Sequence, residues 1–297
     1  MPKKILIIFR KKRQKEDPLN SRRLVFSLLK KETGAKVIFT SLDELDFYLA
    51  PNKSEIIFEE KYNILDFDLI FFVALKEYDW LYRCIIKLYP NLPNLQNFNI
   101  GIIKNKLFQY ICFYRAKLLF PKTFYTTFDP MKKINLIEQK IDYPIVMKST
   151  SKAKGFNMFL AVNRQDLKKL IKKYFDPEEK YIFQEFIPNK SDMRIIVIND
   201  AVKAVIKRTR TDPQAWQNNV SLGAKRTVLS IKKVPDKWKK LAIEAKKAIG
   251  YTIGGVDIVE STRDKKLYLW EINFAPDPNP GTDRALINFI KKKLKNK

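Results

Sequence analysis

Two strand–turn–strand patterns in the second half of the chain restrict its fold most. Arg194 to Ile198 and Ala201 to Ile206 flank Asn199-Asp200, a dipeptide suited to a tight turn. Val256 to Glu260 and Leu267 to Ile272 flank Ser261 to Lys266, and a helix is expected between the two hairpins, over Asp236 to Ile249. Strands that pair locally, with helices between them, indicate an α+β architecture for this part.

Earlier segments fill in the rest. A helix is expected over Lys104 to Lys117, a strand over KTFYTTF after Pro121, a strand over Tyr143 to Met147, a helix over 166–174 and a strand over Tyr181 to Ile187. The first hundred residues alternate differently. The apolar run Ile5 to Phe9 is followed by a helix over Asn20 to Lys31, Gly34 at a cap position, a strand over Lys36 to Thr40 and a buried strand over Asp68 to Leu75. This βαβ-like order predicts a small α/β domain with a largely parallel sheet. The Pro- and Asn-rich residues 90–99 (PNLPNLQNFN) read as a linker, which divides the chain into 1–98 and 99–297.

The second hairpin carries the sharpest chemical signal. Glu271 and Asn273 are two apart on a strand, so both leave the same face, with Trp270 and Ile272 on the other. If the hairpin is centred on Asp264, Asp257 stands directly opposite Glu271. Facing carboxylates repel. A divalent cation would turn that repulsion into a site, with the Asn273 carbonyl oxygen as a further hard ligand. A solvent-facing acidic pair on an exposed strand accounts equally for the spacing.

Composition decides which chemistry is open. The chain has no histidine, which excludes Ser-His-Asp triads, zinc-binding His pairs and an imidazole base, and leaves oxygen-ligated metals of the magnesium type. Its 58 Lys and Arg against 32 Asp and Glu give a net charge of +26. Residues 1–100 hold 17 basic and 13 acidic side chains, a net of +4; residues 101–297 hold the remaining 41 and 19, a net of +22. The second part should therefore meet an anion if either does. Clusters such as Lys168, Lys169, Lys172 and Lys173 read first as solvated helix faces. Cys84 and Cys112 read as reduced thiols. Ile5 to Phe9 is too short for a signal-peptide core and Leu69 to Leu75 too short for a membrane span, so a cytoplasmic protein with no membrane contact is expected.

Lys148 is expected to end the strand Tyr-Pro-Ile-Val-Met, before a loop containing Ser149, Thr150, Ser151, Lys152, Lys154 and Gly155. A lysine there can pair with phosphate oxygens while loop N–H groups cover them. No Walker A or G-x-G-x-x-G sequence occurs. Further along come Gln184-Glu185-Phe186-Ile187, Asp192-Met193-Arg194, Lys207-Arg208 and Trp216-Gln217-Asn218-Asn219.

The order of these motifs, from Lys106 to Asn273, resembles the ATP-grasp superfamily and most closely its RimK-like carboxylate–amine ligases. The resemblance implies an α/β pre-ATP-grasp-like domain followed by an α+β ATP-grasp fold of two subdomains, with nucleotide between them. It implies that Lys106 and Lys148 contact nucleotide phosphates and that the Gln184, Glu185 and Phe186 strand serves adenine. Asp192 would sit near the ribose, Arg194 near phosphate or substrate, and Arg208 would face the reacting groups. Gly255-Val256-Asp257-Ile258 and Glu271-Ile272-Asn273 match the family's magnesium motifs, making Asp257, Glu271 and Asn273 the metal residues. Gln217, Asn218 and Asn219 stand at the family's F-R-x-N, also a nucleotide-side motif, with Gln217 in place of the arginine. The phosphate loop keeps only Gly155, and Ala275 to Gly281 replaces the usual small-residue P-G.

The implied function is an ATP-dependent ligase that joins a carboxylate to an amine through an acyl phosphate. ATP and Mg²⁺, with Mn²⁺ as a substitute, are its cofactors, and at least one substrate is acidic, such as glutamate or an acidic peptide. A homo-oligomer is left open. The alternative is a basic protein on an ATP-grasp scaffold that binds nucleic acid or an acidic partner with catalysis weakened or lost.

Overall fold

The structure is a computed structural model that describes residues 2–9, 21–73, 79–95, 105–126, 129–150, 157–176, 180–212, 214–220, 223–274 and 280–295. Its first layer is a parallel sheet with β1 (Lys4–Phe9) between β2 (Lys36–Ser41) and β6 (Leu69–Val73). Ile5 to Phe9 and Leu69 to Val73 are buried throughout, which is what unbroken apolar runs require of a sheet covered on both faces. Helix α1 (Ser21–Thr33) makes the first crossover and ends at Gly34, whose φ of +66° lets its N–H bond back to Lys30 O.

Two features here depart from expectation. Residues 46–63 form an antiparallel sheet of β3 (Asp46–Ala50), β4 (Lys53–Phe58) and β5 (Tyr62–Asn63). β3 is mostly exposed, and its apolar residues Phe47 to Ala50 run together without the alternation of a half-buried strand. The expected linker is not free chain where it is described: Ile70 N–H bonds to Pro93 O and Leu95 N–H to Ile70 O, so residues 93–95 lie along the β6 edge. Helix α2 (Asp79–Leu88) precedes this segment.

The second layer is an antiparallel sheet in the order β7 (Thr123–Tyr125), β10 (Tyr181–Glu185), β8 (Ile145–Ser149), β9 (Met158–Ala161). Ile145, Met147 and Phe183 face back into a core with α4 (Ile134–Lys140) and α5 (Arg164–Tyr174). Val146, Lys148 and Gln184 therefore face forward. Lys148 lies within β8 rather than ending it, because the strand continues to Ser149.

The third layer has the order β13 (Lys225–Leu229), β12 (Ala201–Thr209), β11 (Ser191–Ile198), β14 (Ile253–Glu260), β15 (Leu267–Asn273). Both expected hairpins are present, the first turning at Asn199, which takes a positive φ of 51°. Ile195, Val197, Val205 and Val256 pack on α6 (Asp236–Ile249). Ile196, Ile198 and Ala204 join a core with Ile287 and Ile290 of α7 (Pro280–Lys295). That helix also reaches the first layer, where Arg284 and Lys291 pair with Glu32 of α1. Helix α3 (Lys106–Arg115) runs between the second and third layers, with Tyr110 and Phe113 buried. No helix among the described residues is long and apolar enough to cross a membrane.

Candidate nucleotide and metal site

The forward face of the second layer and the polar end of the third border a pocket that opens to solvent. Of the residues singled out from sequence, Lys106, Lys148, Gln184, Glu185, Phe186, Asp192, Arg208, Asn219, Asp257 and Glu271 line it. Arg194, Gln217, Asn218 and Asn273 do not. Ser151 to Phe156 of the phosphate loop and residues 275–279 lie outside the described residues.

Lys106 opens α3 just after Asn105, whose side chain caps the helix by accepting from Leu107 and Phe108 N–H. The Lys106 N–H bonds to Thr150 O, which ties the helix start to the end of β8. Its buried ammonium lies 3.9 Å from Glu271 Oε2. Lys148 donates to Tyr110 Oη at 2.9 Å, and its burial lowers its pKa from the usual lysine range to about 8. The Tyr110 hydroxyl in turn donates to Trp270 O at 2.6 Å and lies 3.4 Å from Gln184 Oε1. One buried phenol thus touches groups on β8, β10 and β15.

The third layer contributes a row of charges in cross-strand register: Arg208 opposite Asp192, and Arg194 opposite Asp257, which stands opposite Glu271. Arg194 Nε and Nη2 each lie 2.7 Å from one oxygen of Asp257, a bidentate pair. Arg208 Nε donates to Asp192 at 2.5 Å and its Nη2 lies 3.0 Å from Asp257. Burial alone would raise Asp257, but the two guanidiniums outweigh it and hold its carboxyl below the usual range. Asp192 is pushed up to about 6, with burial the largest cause.

These pairs revise the expected electrostatics. The Asp257–Glu271 register is as the hairpin arithmetic predicts, but the repulsion is relieved by protein cations: Arg194 and Arg208 at Asp257, Lys106 beside Glu271. The Asn273 amide also donates to Glu271 Oε1 at 3.0 Å. The register then slips by one residue, since Ile258 pairs with Leu269, leaving Trp270 unpaired in a bulge. Bulges re-aim side chains, and Trp270, expected on the face away from Glu271, lines the pocket with it. Ile272 is buried in the core as expected.

The run Trp216 to Asn219 divides in two. Asn219 and Trp216 line the pocket, Trp216 edge-on to Phe186 at 6.2 Å. Asn218 is 1 % exposed and donates to Asn189 Oδ1, while Arg210 donates to Asn218 Oδ1 and Asn189. Gln217 reaches Met158 O at 3.4 Å. Both are wall rather than lining. Glu185 turns its carboxylate outward to Arg263 at 2.5 Å, consistent with a strand that offers its backbone to a ligand.

Gln109 and Tyr110 escaped the sequence reading. Gln109 takes Ile272 N–H on its Oε1 at 2.9 Å and donates to Ile272 O at 3.0 Å, satisfying the outer edge of β15. The available signal was two adjacent polar groups about one turn after Lys106, between the apolar pairs Leu107-Phe108 and Ile111-Cys112.

For a metal, Asp257, Glu271 and Asn273 supply an all-oxygen donor set, the chemistry that suits Mg²⁺ or Mn²⁺. Among the described residues no three carboxylate or thiol side chains form a metal-ligating cluster. These three residues fit a cation that takes part of its coordination from a ligand, with Arg194 and Arg208 competing for Asp257.

A family model described as a RimK-like ATP-grasp domain matches residues 104–295. A protein named probable alpha-L-glutamate ligase from Shewanella pealeana is 27% identical over 226 residues, covering 72% of this chain and 48% of that relative. One of the same name from Trichodesmium erythraeum is 30% identical over 160 residues, covering 51% and 52%. The chain spans about half the length of the curated relatives it matches. Among solved structures, D-alanyl-alanine synthetase A from Vibrio cholerae superposes with a TM-score of 0.75 at 13% identity, covering 99% of this chain and 98% of that one. The macrocyclase MdnC from Microcystis aeruginosa, bound with precursor peptide MdnA, gives 0.67 at 18%, covering 99% and 100%. These likenesses show a shared fold.

Proposed function

The chain belongs to the RimK-like ATP-grasp family, and from that premise we propose that it is an ATP-dependent carboxylate–amine ligase forming an amide or peptide bond. The observation that carries this reading is the convergence of Lys106, Lys148 and Arg208 with Asp257 and Glu271 in one pocket. Lys148, whose ammonium donates to the Tyr110 phenol rather than to a carboxylate, is the buried cation there that an anionic ligand would engage first.

In the proposed reaction a substrate carboxylate oxygen attacks the γ-phosphorus of ATP. The bond to the β,γ-bridging oxygen breaks, giving an acyl phosphate and ADP. The amine nitrogen then adds to the acyl carbon, loses a proton and expels phosphate from the tetrahedral intermediate. The protein's task is to neutralise charge as it moves between oxygens, which needs fixed cations rather than histidine. Lys106 and Lys148 hold nucleotide phosphate oxygens, and Arg208 faces the transferring group. Arg194 orients Asp257 and stands ready for phosphate or substrate. Gln184, Glu185 and Phe186 form the adenine strand, Asp192 lies on the ribose side, and Asn219 with Trp216 closes the opposite wall. Gln217 and Asn218 support that wall.

Asp257, Glu271 and Asn273 would hold Mg²⁺, which would supply positive charge against the anionic phosphates. The acceptor or donor is glutamate or an acidic peptide. Relatives named alpha-L-glutamate ligase support this choice, as does the net charge of the second part of the chain.

A screen of carboxylate and amine pairs with Mg-ATP, read by ADP release and by mass of the product, tests the proposal. Stoichiometric ADP and amide are expected for a pair that includes a glutamate or an acidic peptide. Nucleotide binding with no ADP release across that set would overturn it.

A further inference from the structure

A second charged feature lies behind the nucleotide pocket. The 3₁₀ turn Pro130–Lys133, the start of α4 and helix α5 border an open groove. Arg164, Lys168 and Lys172 recur at i, i+4 and i+8 on α5, with Lys169 beside them and Lys132 across the groove. Like charges at i, i+4 destabilise a helix, and little opposes them here. Glu138 is engaged by Arg164 at 2.9 Å and by the Tyr143 hydroxyl. Among the described residues Lys132, Lys168, Lys169 and Lys172 have no ion-pair partner. Met131 contributes apolar surface over the buried Ile134, and no aromatic ring lines the groove.

The location gives the groove a role. Its helices pack on the back of the second layer, whose front forms the pocket, and β9 is the edge strand between them. Met158 at the start of β9 lines the pocket, and Arg164 follows Ala161 at its end by three residues. At a rise of about 3.3 Å per residue Met158 and Arg164 lie at most about 20 Å apart along the chain, so a path from pocket mouth to groove needs roughly six to eight extended residues.

We propose that this groove is an anchoring site for an acidic peptide whose reacting end lies in the nucleotide pocket. This rests on the ligase reading and names its substrate class as a chain of several Glu or Asp residues. Carboxylates on methylene stems match lysines above Met131. A nucleic acid would leave its bases without a ring to stack on, and single-strand binders use such rings.

The test measures binding without turnover. Fluorescein-labelled tetra-glutamate and dodeca-glutamate, and a twelve-nucleotide oligouridylate, are titrated by anisotropy against the wild type and Lys168→Glu/Lys169→Glu/Lys172→Glu. Three exposed charge reversals should leave the thermal midpoint and ATP affinity unchanged. Dodeca-glutamate should bind about tenfold or more tighter than tetra-glutamate, and the triple variant should lose that advantage, as expected for several weak ion pairs acting together. Equal affinity of the triple variant and wild type for dodeca-glutamate overturns the proposal, as does tighter binding of oligouridylate than of dodeca-glutamate. The ADP-release screen addresses the ligase reading separately, so the two can fail independently.

Discussion

Arg194 and Asp257 face each other across β11 and β14, and both carboxylate oxygens lie 2.7 Å from guanidinium nitrogens. With Arg208 as a second partner at 3.0 Å, the carboxylate assigned to the metal is already neutralised by protein. A cation arriving alone must displace a buried pair. Arriving with phosphates, it meets arginines that have another anion to hold. Mn²⁺ titration followed by electron paramagnetic resonance should therefore show weak binding alone, and binding about tenfold or more tighter with ADP, a coupling of ordinary size. Equal affinity in both conditions would remove the competition.

Glu271 separates chemistry from folding better than Asp257. Its side chain is 26% exposed against 4% for Asp257. Glu271→Gln should cut Mg-ATP-dependent ADP release by about 10² to 10³ while the thermal midpoint hardly moves. Asp257→Asn should cost turnover and also about 3 kcal/mol of stability in urea, because it leaves the buried Arg194 guanidinium without its carboxylate and Arg208 with Asp192 alone.

Lys148 and Tyr110 should behave as a unit. Lys148→Met should raise the ATP KM and lower kcat, and Tyr110→Phe should do the same more weakly. In the Lys148→Met background, Tyr110→Phe should add little, since the hydroxyl is aimed at the missing ammonium. Additive effects would assign Tyr110 to packing alone. The lowered pKa of about 8 sets a pH dependence. ATP affinity should fall as the free enzyme loses the Lys148 proton above that pH, and Lys148→Arg should abolish that inflection. For stability the sign is opposite. Between about 8 and the unfolded lysine value near 10.4 the unfolded state binds more protons, so this group's contribution to stability rises with pH.

Asn218 is a structural residue in a motif expected to serve nucleotide. Asn218→Ala breaks its bonds to Asn189 and Arg210 and should cost about 1–3 kcal/mol, the usual penalty for unsatisfied buried polar groups. Asn219→Ala should instead raise the ATP KM with little change in thermal midpoint. A reversed pattern, measured by steady-state kinetics and thermal unfolding, would exchange their roles.

Much of the site was legible because strand pairing is local. The turn at Asn199 and the spacing around Asp264 place Arg194, Asp257 and Glu271 on expected strands, while Asp192 and Arg208 fall just beyond the expected ends of theirs. Alternation then sends side chains two apart to one face. The same logic failed at Trp270, where one bulged residue shifts every later pairing, and nothing in YLWEIN marks the bulge. It also failed at residues 46–63, whose exposed β3 carries no apolar period.

By itself, the sequence determined the kinds of chemistry available: no imidazole, oxygen donors for a metal, and an excess of lysine and arginine in residues 101–297. It also determined the hairpins, since their turns and alternation depend on neighbours along the chain. Only the tertiary structure decided which charges meet. Arg194 reaches Asp257 across 63 positions of sequence and Tyr110 reaches Lys148 across 38. Those contacts depend on how β11 docks on β14 and how α3 packs between two sheets. Burial at those junctions turns ordinary surface residue types into a carboxylate neutralised by two arginines and a lysine with a lowered pKa, a change that no local pattern records.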